Sequence, residues 1–453
     1  MKNASSDTLF QLDGRPNLLK AIPFGLQHVL AMFVANVTPI IILANAVKLP
    51  DGLAATLVQN AMLIAGLGTL VQLYPIWRIG SRTPMVMGIS FTFLSLAIGI
   101  ATQFGMGTLI GAVIVGGLLE GLLGLCARFW LRLISPIVAA TVVTGIGFSL
   151  LPIGANSFAG GFGSPDFGSI NNWIVGSVTL VACFAFQILA RGTIRSLAVL
   201  FSLVVGYALA ACMGMVNLDA LHTTRLVALP TCLPFLPEFR LGPILSLVAI
   251  FLVSATETIG DISALSSAAF KRNVSDRELS GAVACDGFVS AISGLFGCTP
   301  ITSFSQNVGL ITMTGVVNRL AIATGAAIML LAGVFPAVGV ILTSIPQPVL
   351  GGCSIMMFGS IIFAGLGMLA KCGFSQRNMV IVSITLSVGL GFTQVSAIFN
   401  IFPEIVRTIF ADNCVATVFI LALLLDNAIP KDKDKDKDTD CPSPNPDANR
   451  QLA

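Results

Sequence analysis

Apolar runs long enough to enter a lipid bilayer recur along the whole chain, and no soluble fold buries so many. A bilayer-spanning helix needs about 20 mostly apolar residues. Runs of this kind, separated by charges or by Pro and Gly, lie at Ala21–Val47, Ala54–Pro75, Pro84–Gly99, Leu109–Leu125, Ile134–Leu150, Trp173–Leu189 and Leu197–Met215. A second set follows at Ile244–Ala264, Leu279–Leu295, Gln306–Thr314, Leu320–Leu342, Val349–Leu369, Met379–Phe392 and Val415–Leu425. Of the 453 residues only 10% are charged, against about 25% in an ordinary soluble protein, and the mean hydropathy is +0.92. The expected class is an all-α polytopic membrane protein of fourteen segments with the lipid bilayer as its solvent. The net charge of +3 is too small to imply a nucleic-acid partner.

Basic residues test that count, because cytoplasmic loops of membrane proteins are enriched in Lys and Arg. The even-numbered gaps carry Arg78, Arg82, Arg128, Arg132, Arg191, Arg195, Lys271, Arg272, Arg277, Arg319, Lys371 and Arg377; the odd-numbered gaps carry only Lys48, Arg225, Arg240 and Arg407. The alternation puts both termini in the cytoplasm, of a cell inner (plasma) membrane. No cleavable signal peptide is evident, so the first apolar run is read as the first helix. Residues 1–20 read as an N-terminal tail. Residues 429–453, which include four Lys-Asp repeats and a Pro/Asp/Asn-rich end, read as a disordered cytoplasmic tail. The ten cysteines are scattered singly; those inside apolar runs (Cys126, Cys183, Cys212) read as small packing residues. No metal site and no cofactor are expected.

Two segments are unlike simple spans. The third follows Thr83-Pro84 and continues Met87-Gly88-Ile89-Ser90-Phe91-Thr92; the tenth follows Thr299-Pro300 and continues Ile301-Thr302-Ser303-Phe304-Ser305-Gln306-Asn307. Each is the third of its set of seven. Seven is odd, so the second set lies inverted relative to the first. Short, Gly/Pro-interrupted segments at matching places in two halves point to a transporter binding site, and broken backbone at membrane depth is tolerated only inside protein or along a cavity. The plainer alternative is a pair of Pro-kinked helices in an ordinary bundle.

The spans hold no Lys or Arg, yet they contain His28, Glu120, Glu257, Asp261, Asp286 and, near the last helix end, Asp426. A charge at the bilayer centre costs at least about 2.5–3.5 kcal/mol. Glu257 and Asp261 are four apart and share one helical face; Asp286 is in the next helix. Three acids with no basic partner either hold protons or attract a cation, which suits coupling to H+ or Na+. Glu120 lies among Gly116, Gly117, Gly121 and Gly124 and reads as structural. His28 reads as a hydrogen-bonded packing residue. Phe91 gains interest only from its place in the broken segment.

Gln306-Asn307-Val308-Gly309, four further residues and then Thr314-Gly315 resemble the signature of the nucleobase–ascorbate transporter family. Gln27-His28, Glu257-Thr258-Ile259-Gly260-Asp261 and Asp286-Gly287 match other family motifs, and the resemblance runs from about residue 10 to 430. It implies fourteen helices in two inverted repeats of seven, with short strands before the third and tenth half-helices. It implies a core domain (about 21–127 and 243–342) and a gate domain (about 128–242 and 343–428), and a homodimer whose core moves like an elevator. By resemblance Glu257 and Gln306 bind the substrate ring, with Phe91, Ser90 and Ser305 flanking it. Asn307 organises the site, and Asp261, Asp286 and His28 serve coupling or structure. The implied function is symport of a purine nucleobase, xanthine or urate, with H+. Gly315 and Val308 leave the purine open. Uracil or ascorbate as cargo, and Na+ as coupling ion, are the alternatives within the family. From other classes, a channel or an anion exchanger on a related inverted-repeat fold remains. No motif of an enzyme is present.

Overall fold

A computed structural model describes residues 8–127, 135–218, 221, 227–403, 406, 407, 410 and 413–430. The Lys-Asp tail beyond 430 and the loop residues Arg128, Arg132 and Arg225 lie outside the described residues.

The chain is mostly helical. The first half gives α1 (Leu18–Ala46), α2 (Asp51–Leu73), strand β1 (Met87–Ile89), α3 (Leu94–Phe104), α4 (Met106–Leu125), α5 (Pro136–Phe158), α6 (Ile170–Leu189) and α7 (Ala198–Cys212). The second gives α8 (Leu241–Phe270), α9 (Asp276–Leu295), strand β2 (Ile301–Ser303), α10 (Ser305–Thr314), α11 (Arg319–Ala332), α12 (Pro336–Thr343), α13 (Gln347–Cys372), α14 (Gln376–Gln394) and α15 (Cys414–Ala428). Their starts follow from local chemistry. Asn17 accepts from the Leu19 N–H to open α1, and Ser275 with Glu278 closes a reciprocal cap on α9. Of the fourteen expected segments, seven become helices long and apolar enough to cross a bilayer (α1, α2, α4, α5, α6, α8 and α13), or eight if the bent pair α11–α12 counts as one.

That bend corrects the expectation of one continuous eleventh span over Leu320–Leu342. The chain turns by 84° between α11 and α12. Pro336 starts α12, and Phe335 before it is extended (φ −102°, ψ 98°); proline has no N–H to donate and disfavours helical backbone in the residue it follows. The cysteine reading is also corrected in part. Cys183 is buried, but Cys126 and Cys212 are exposed, because they sit where α4 and α7 run out, past the packed faces. The expected N-terminal tail is docked from Thr8 onward: the Asn318 amide donates to backbone carbonyls of Gln11 and Gly14, both at 2.8 Å, and Asp13 pairs with Arg82 and Arg319.

The third and tenth segments break as strands followed by half-helices. β1 and β2 pair antiparallel with Gly88 opposite Thr302, so the two halves of the sequence meet at their broken points. A two-stranded crossing leaves outer N–H and C=O groups unpaired, and side chains of the surrounding helices take them up. Asn36 on α1 accepts from the Ile89 N–H at 2.8 Å. Thr69 on α2 accepts from the Met87 N–H at 3.0 Å. Ser290 on α9 both accepts from the Ile301 N–H and donates to the Ile301 carbonyl, each at 3.0 Å.

Two tight helix pairs frame this crossing. α4 and α9 touch through backbone: a Cβ on Gly287 would stand 2.0 Å from the Gly121 nitrogen, and one on Gly124 would stand 2.3 Å from the Ala284 nitrogen. α5 and α13 do the same, with Gly351 against the Phe158 backbone at 2.1 Å. Between membrane helices, small residues permit this approach and dispersion contacts then hold the pair. α1, α2, α8, α10 and α11 gather around the α4–α9 side; α6, α7 and α15 gather around α5–α13.

Gly287→Ala should lower thermal stability by about 1–3 kcal/mol, because its new methyl meets backbone. Gly99→Ala, whose methyl meets nothing within 4 Å, should be neutral. Melting of the detergent-purified variants checks the difference.

Candidate functional site

The site assembles where the strand crossing meets α8. Glu257 and Asp261 lie one turn apart on α8 and are half-buried, with exposed Gly260 on the same face. Across from them, Ser305 and Gln306 open the first turn of α10 and are exposed. Gly260 and Gly309 both border open space, since a Cβ on either would meet nothing within 4 Å.

Each acid is held by hydroxyls instead of by a cation. The Thr92 hydroxyl donates to Glu257, 2.9 Å from Oε2 and 3.1 Å from Oε1. Asp261 accepts from Ser303 and from Ser305, both at 2.6 Å. Asp286 is fully buried and accepts from Thr258 and, at 3.1 Å, from Thr302; Thr258 and Thr302 also lie within hydrogen-bond distance of each other. Among the described residues none of these three acids is in an ion pair. Asp426 is different: it pairs with Arg377 at 2.8 Å.

The crossing explains this supply of hydroxyls. Thr92 follows β1, while Thr302 and Ser303 belong to β2. Side chains on a strand alternate, so Thr302 serves Asp286 while Ser303 serves Asp261. Both half-helices point their N-termini at this region. The 3₁₀ turn Phe91–Phe93 ahead of α3 is capped by Ser90, whose Oγ accepts from the Thr92 N–H. α10 has no side-chain cap at Phe304, which leaves N–H donors for a ligand.

Seven of the nine residues expected at the site fall into three groups, and Ser90 and Phe91 stand apart from them. Glu257 and Asp261 on α8 are half-buried and Ser305 and Gln306 at the start of α10 are exposed, with Ser305 bonded to Asp261. Asp286 stands behind them. His28 and Asn307 form a buried pair on the α1 side: the Asn307 amide nitrogen is 2.9 Å from His28 Nδ1 and donates to the His28 carbonyl at 3.3 Å. Ser90 is buried and spent on its cap. Phe91 packs edge-on against Phe358 of α13, centroids 5.2 Å apart, so it joins the two helix groups. Thr92, Thr258, Thr302 and Ser303 were missed as individuals. The Ser/Thr-rich stretch after each Thr-Pro pair was the signal for Thr92, Thr302 and Ser303, and Thr258 lies within the Glu257–Asp261 stretch of α8.

Thr302→Val removes one donor to a buried carboxylate and should cost about 1–3 kcal/mol of stability. Thr302→Ser, which keeps the hydroxyl, should recover most of it in the same melting assay.

The pattern that defines the Permease family matches residues 19–398. The xanthine permease XanQ of Escherichia coli (strain K12) is 31% identical, the alignment covering 95% of each chain. The uric acid permease PucK of Bacillus subtilis (strain 168) is 34% identical over 85% of this chain and 90% of its own. Among solved structures, the transmembrane domain of the bicarbonate transporter BicA from a cyanobacterium superposes with a TM-score of 0.61 at 15% identity, covering 88% of this chain and 97% of that one. Murine Slc26a9, an anion transporter, gives 0.55 at 13% identity over 91% and 68%. At such identities the likeness shows a shared inverted-repeat fold and nothing about cargo. With the family pattern spanning most of its length, the chain belongs to this permease family, the nucleobase–ascorbate transporter family whose signature begins at Gln306.

Proposed function

We propose that this protein is a secondary transporter, not an enzyme, that moves a purine nucleobase, xanthine or urate, across the cell inner membrane together with H+. The observations that carry this reading are the hydroxyl-held, half-buried Glu257 on α8 and the exposed Gln306 in the first turn of α10, whose neighbour Ser305 bonds Asp261 one turn from Glu257. A Glu257 carboxylate accepts from ring N–H groups. A Gln306 amide both donates and accepts, and so matches the alternating edge of an oxidised purine. The uncapped start of α10 offers further N–H donors to a ring carbonyl. A site of this kind discriminates by leaving its own polar groups unpaired when the wrong ring binds. A bare anion, the cargo of the fold relatives, would meet three carboxyl groups here.

The helices around α4–α9, about residues 21–127 and 243–342, form the moving core in this proposal. Those around α5–α13, about 128–242 and 343–428, form the gate, with Phe91 and Phe358 at their contact. Gate-to-gate pairing of two copies would give each core a fixed frame, and both termini would face the cytoplasm.

Cells making the protein should take up radiolabelled xanthine, compete with urate better than with uracil or ascorbate, and lose accumulation on adding a protonophore. Glu257→Gln and Gln306→Ala should abolish uptake at normal membrane levels. Dependence on a Na+ gradient instead would replace the coupling ion, and absence of any xanthine uptake would overturn the cargo. Thr92→Val frees the Glu257 carboxylate from its hydroxyl and should weaken apparent affinity by roughly ten- to hundredfold, the equivalent of about 1.5–3 kcal/mol, while Thr92→Ser stays near wild type.

A further inference from the structure

The turn between α2 and β1 is built to hold two apolar side chains outward. Past the end of α2 at Leu73, Ile76 and Ile79 exchange backbone hydrogen bonds of 3.0 Å each. Trp77 at the tip has a φ of 55°, a left-handed backbone that a bulky L-residue adopts only under strain. Arg277, in the first turn of α9, fixes that conformation. Its guanidinium donates to the carbonyls of Trp77 at 2.7 Å, Arg78 at 3.1 Å and Gly80 at 3.3 Å. The Gly80 N–H donates to the Gly281 carbonyl at 2.8 Å. The backbone is thus tied to α9, while Ile76 stands 64% and Trp77 75% exposed.

α2 is long and apolar enough to cross a bilayer, so a tip this close to its end lies at the bilayer surface. Trp and Tyr concentrate at that level, where an apolar ring meets acyl chains and its polar edge meets water. Tyr74 is exposed there too. The charges around the turn are mostly basic. Arg78 is exposed and in no ion pair among the described residues. Arg82 pairs with Asp13 at 3.3 Å. Arg319 pairs with the same Asp13 and lies 5.3 Å from the centre of the Tyr74 ring. Asp276 precedes Arg277, and residues 74–82 contain no acid. Two exposed side chains are far too small a patch for a stable protein partner, which needs about 800 Å² on each side. They fit a surface that is apolar below and anionic above, as a leaflet of anionic lipid is.

We propose that the Tyr74–Arg82 turn is an interfacial foot that binds an anionic phospholipid: Ile76 and Trp77 enter the acyl boundary, and the Arg78 guanidinium meets the headgroup phosphate. The strained backbone at Trp77 and its staple from Arg277 set the depth of the ring. Water alone gives no return for that strain, whereas burial of the ring in the acyl boundary does. The inference needs only the membrane class of the chain and is independent of its cargo and coupling ion.

The test uses the full chain in lipid vesicles, with Trp130→Phe and Trp173→Phe leaving Trp77 as the only tryptophan. Lipids brominated near the carbonyl end of the acyl chain should quench Trp77 emission, and iodide on both sides of the vesicle should quench it little. In a phosphatidylcholine background, a small share of brominated phosphatidylglycerol should quench as much as a roughly fivefold larger share of brominated phosphatidylcholine. Arg78→Gln should lose most of that excess and leave Trp77 within reach of the lipid bromines. Quenching by iodide but not by lipid bromine puts the tip in water and overturns the proposal. Quenching by neither puts it under protein and overturns it as well. Equal quenching by equal shares of the two brominated lipids overturns the anionic headgroup. If the variant does not insert, the emission of wild type minus that of Trp77→Phe gives the same readings.

Discussion

An unpaired peptide N–H or C=O in the hydrocarbon core costs several kcal/mol, and the crossing of β1 and β2 is where this fold meets that constraint. Two strands of three residues supply too few partners to each other. Asn36, Thr69, Ser290 and the Ser293 hydroxyl, which donates to the Thr299 carbonyl at 2.7 Å, complete the pairing from α1, α2 and α9. These helices must therefore stand where they do. The crossing in turn fixes the origins of α3 and α10, and those two half-helices deliver Thr92 and Ser305 to the acids of α8.

The second theme is how carboxyl groups persist inside a membrane protein without cations. A salt bridge to Arg is used at Asp426, at the end of α15. Near the strand crossing the partners are hydroxyls. A hydroxyl donates to a carboxylate and accepts from a carboxylic acid by rotating, so Glu257, Asp261 and Asp286 keep a partner in either protonation state. An Arg would pin each acid in its charged form. Thr and Ser thus leave these acids without a fixed counter-charge, and Glu120, with no such partner among the described residues, stands apart from them.

Glycine contacts give the assembly its two close helix pairs, α4 with α9 and α5 with α13. Where Gly121 and Gly287 or Gly351 and Phe158 bring backbones together, a helix pair has no freedom to slide. Between the two groups the notable side-chain contact is an edge-on pair of rings, Phe91 and Phe358. Such a pair is worth about 0.5–1.5 kcal/mol beyond its buried area.

The sequence by itself determined the membrane class, the two broken points and the shared face of Glu257 and Asp261. All of these are local: apolar run length, a Thr-Pro pair, and a spacing of four are written in consecutive residues. The sharp turn at Pro336 was equally local in cause but passed unseen inside a long apolar run. Only the tertiary structure decided the partners. Thr92 reaches Glu257 from 165 positions away, Ser303 and Ser305 reach Asp261, Asn307 reaches His28, and Glu120 meets no hydrogen-bond partner among the described residues. Those outcomes depend on which helices lie side by side and at what depth, and that is set by the fit of glycine-lined faces and by the demand that every strand N–H find an acceptor. Neither leaves a mark in the spacing of any single segment.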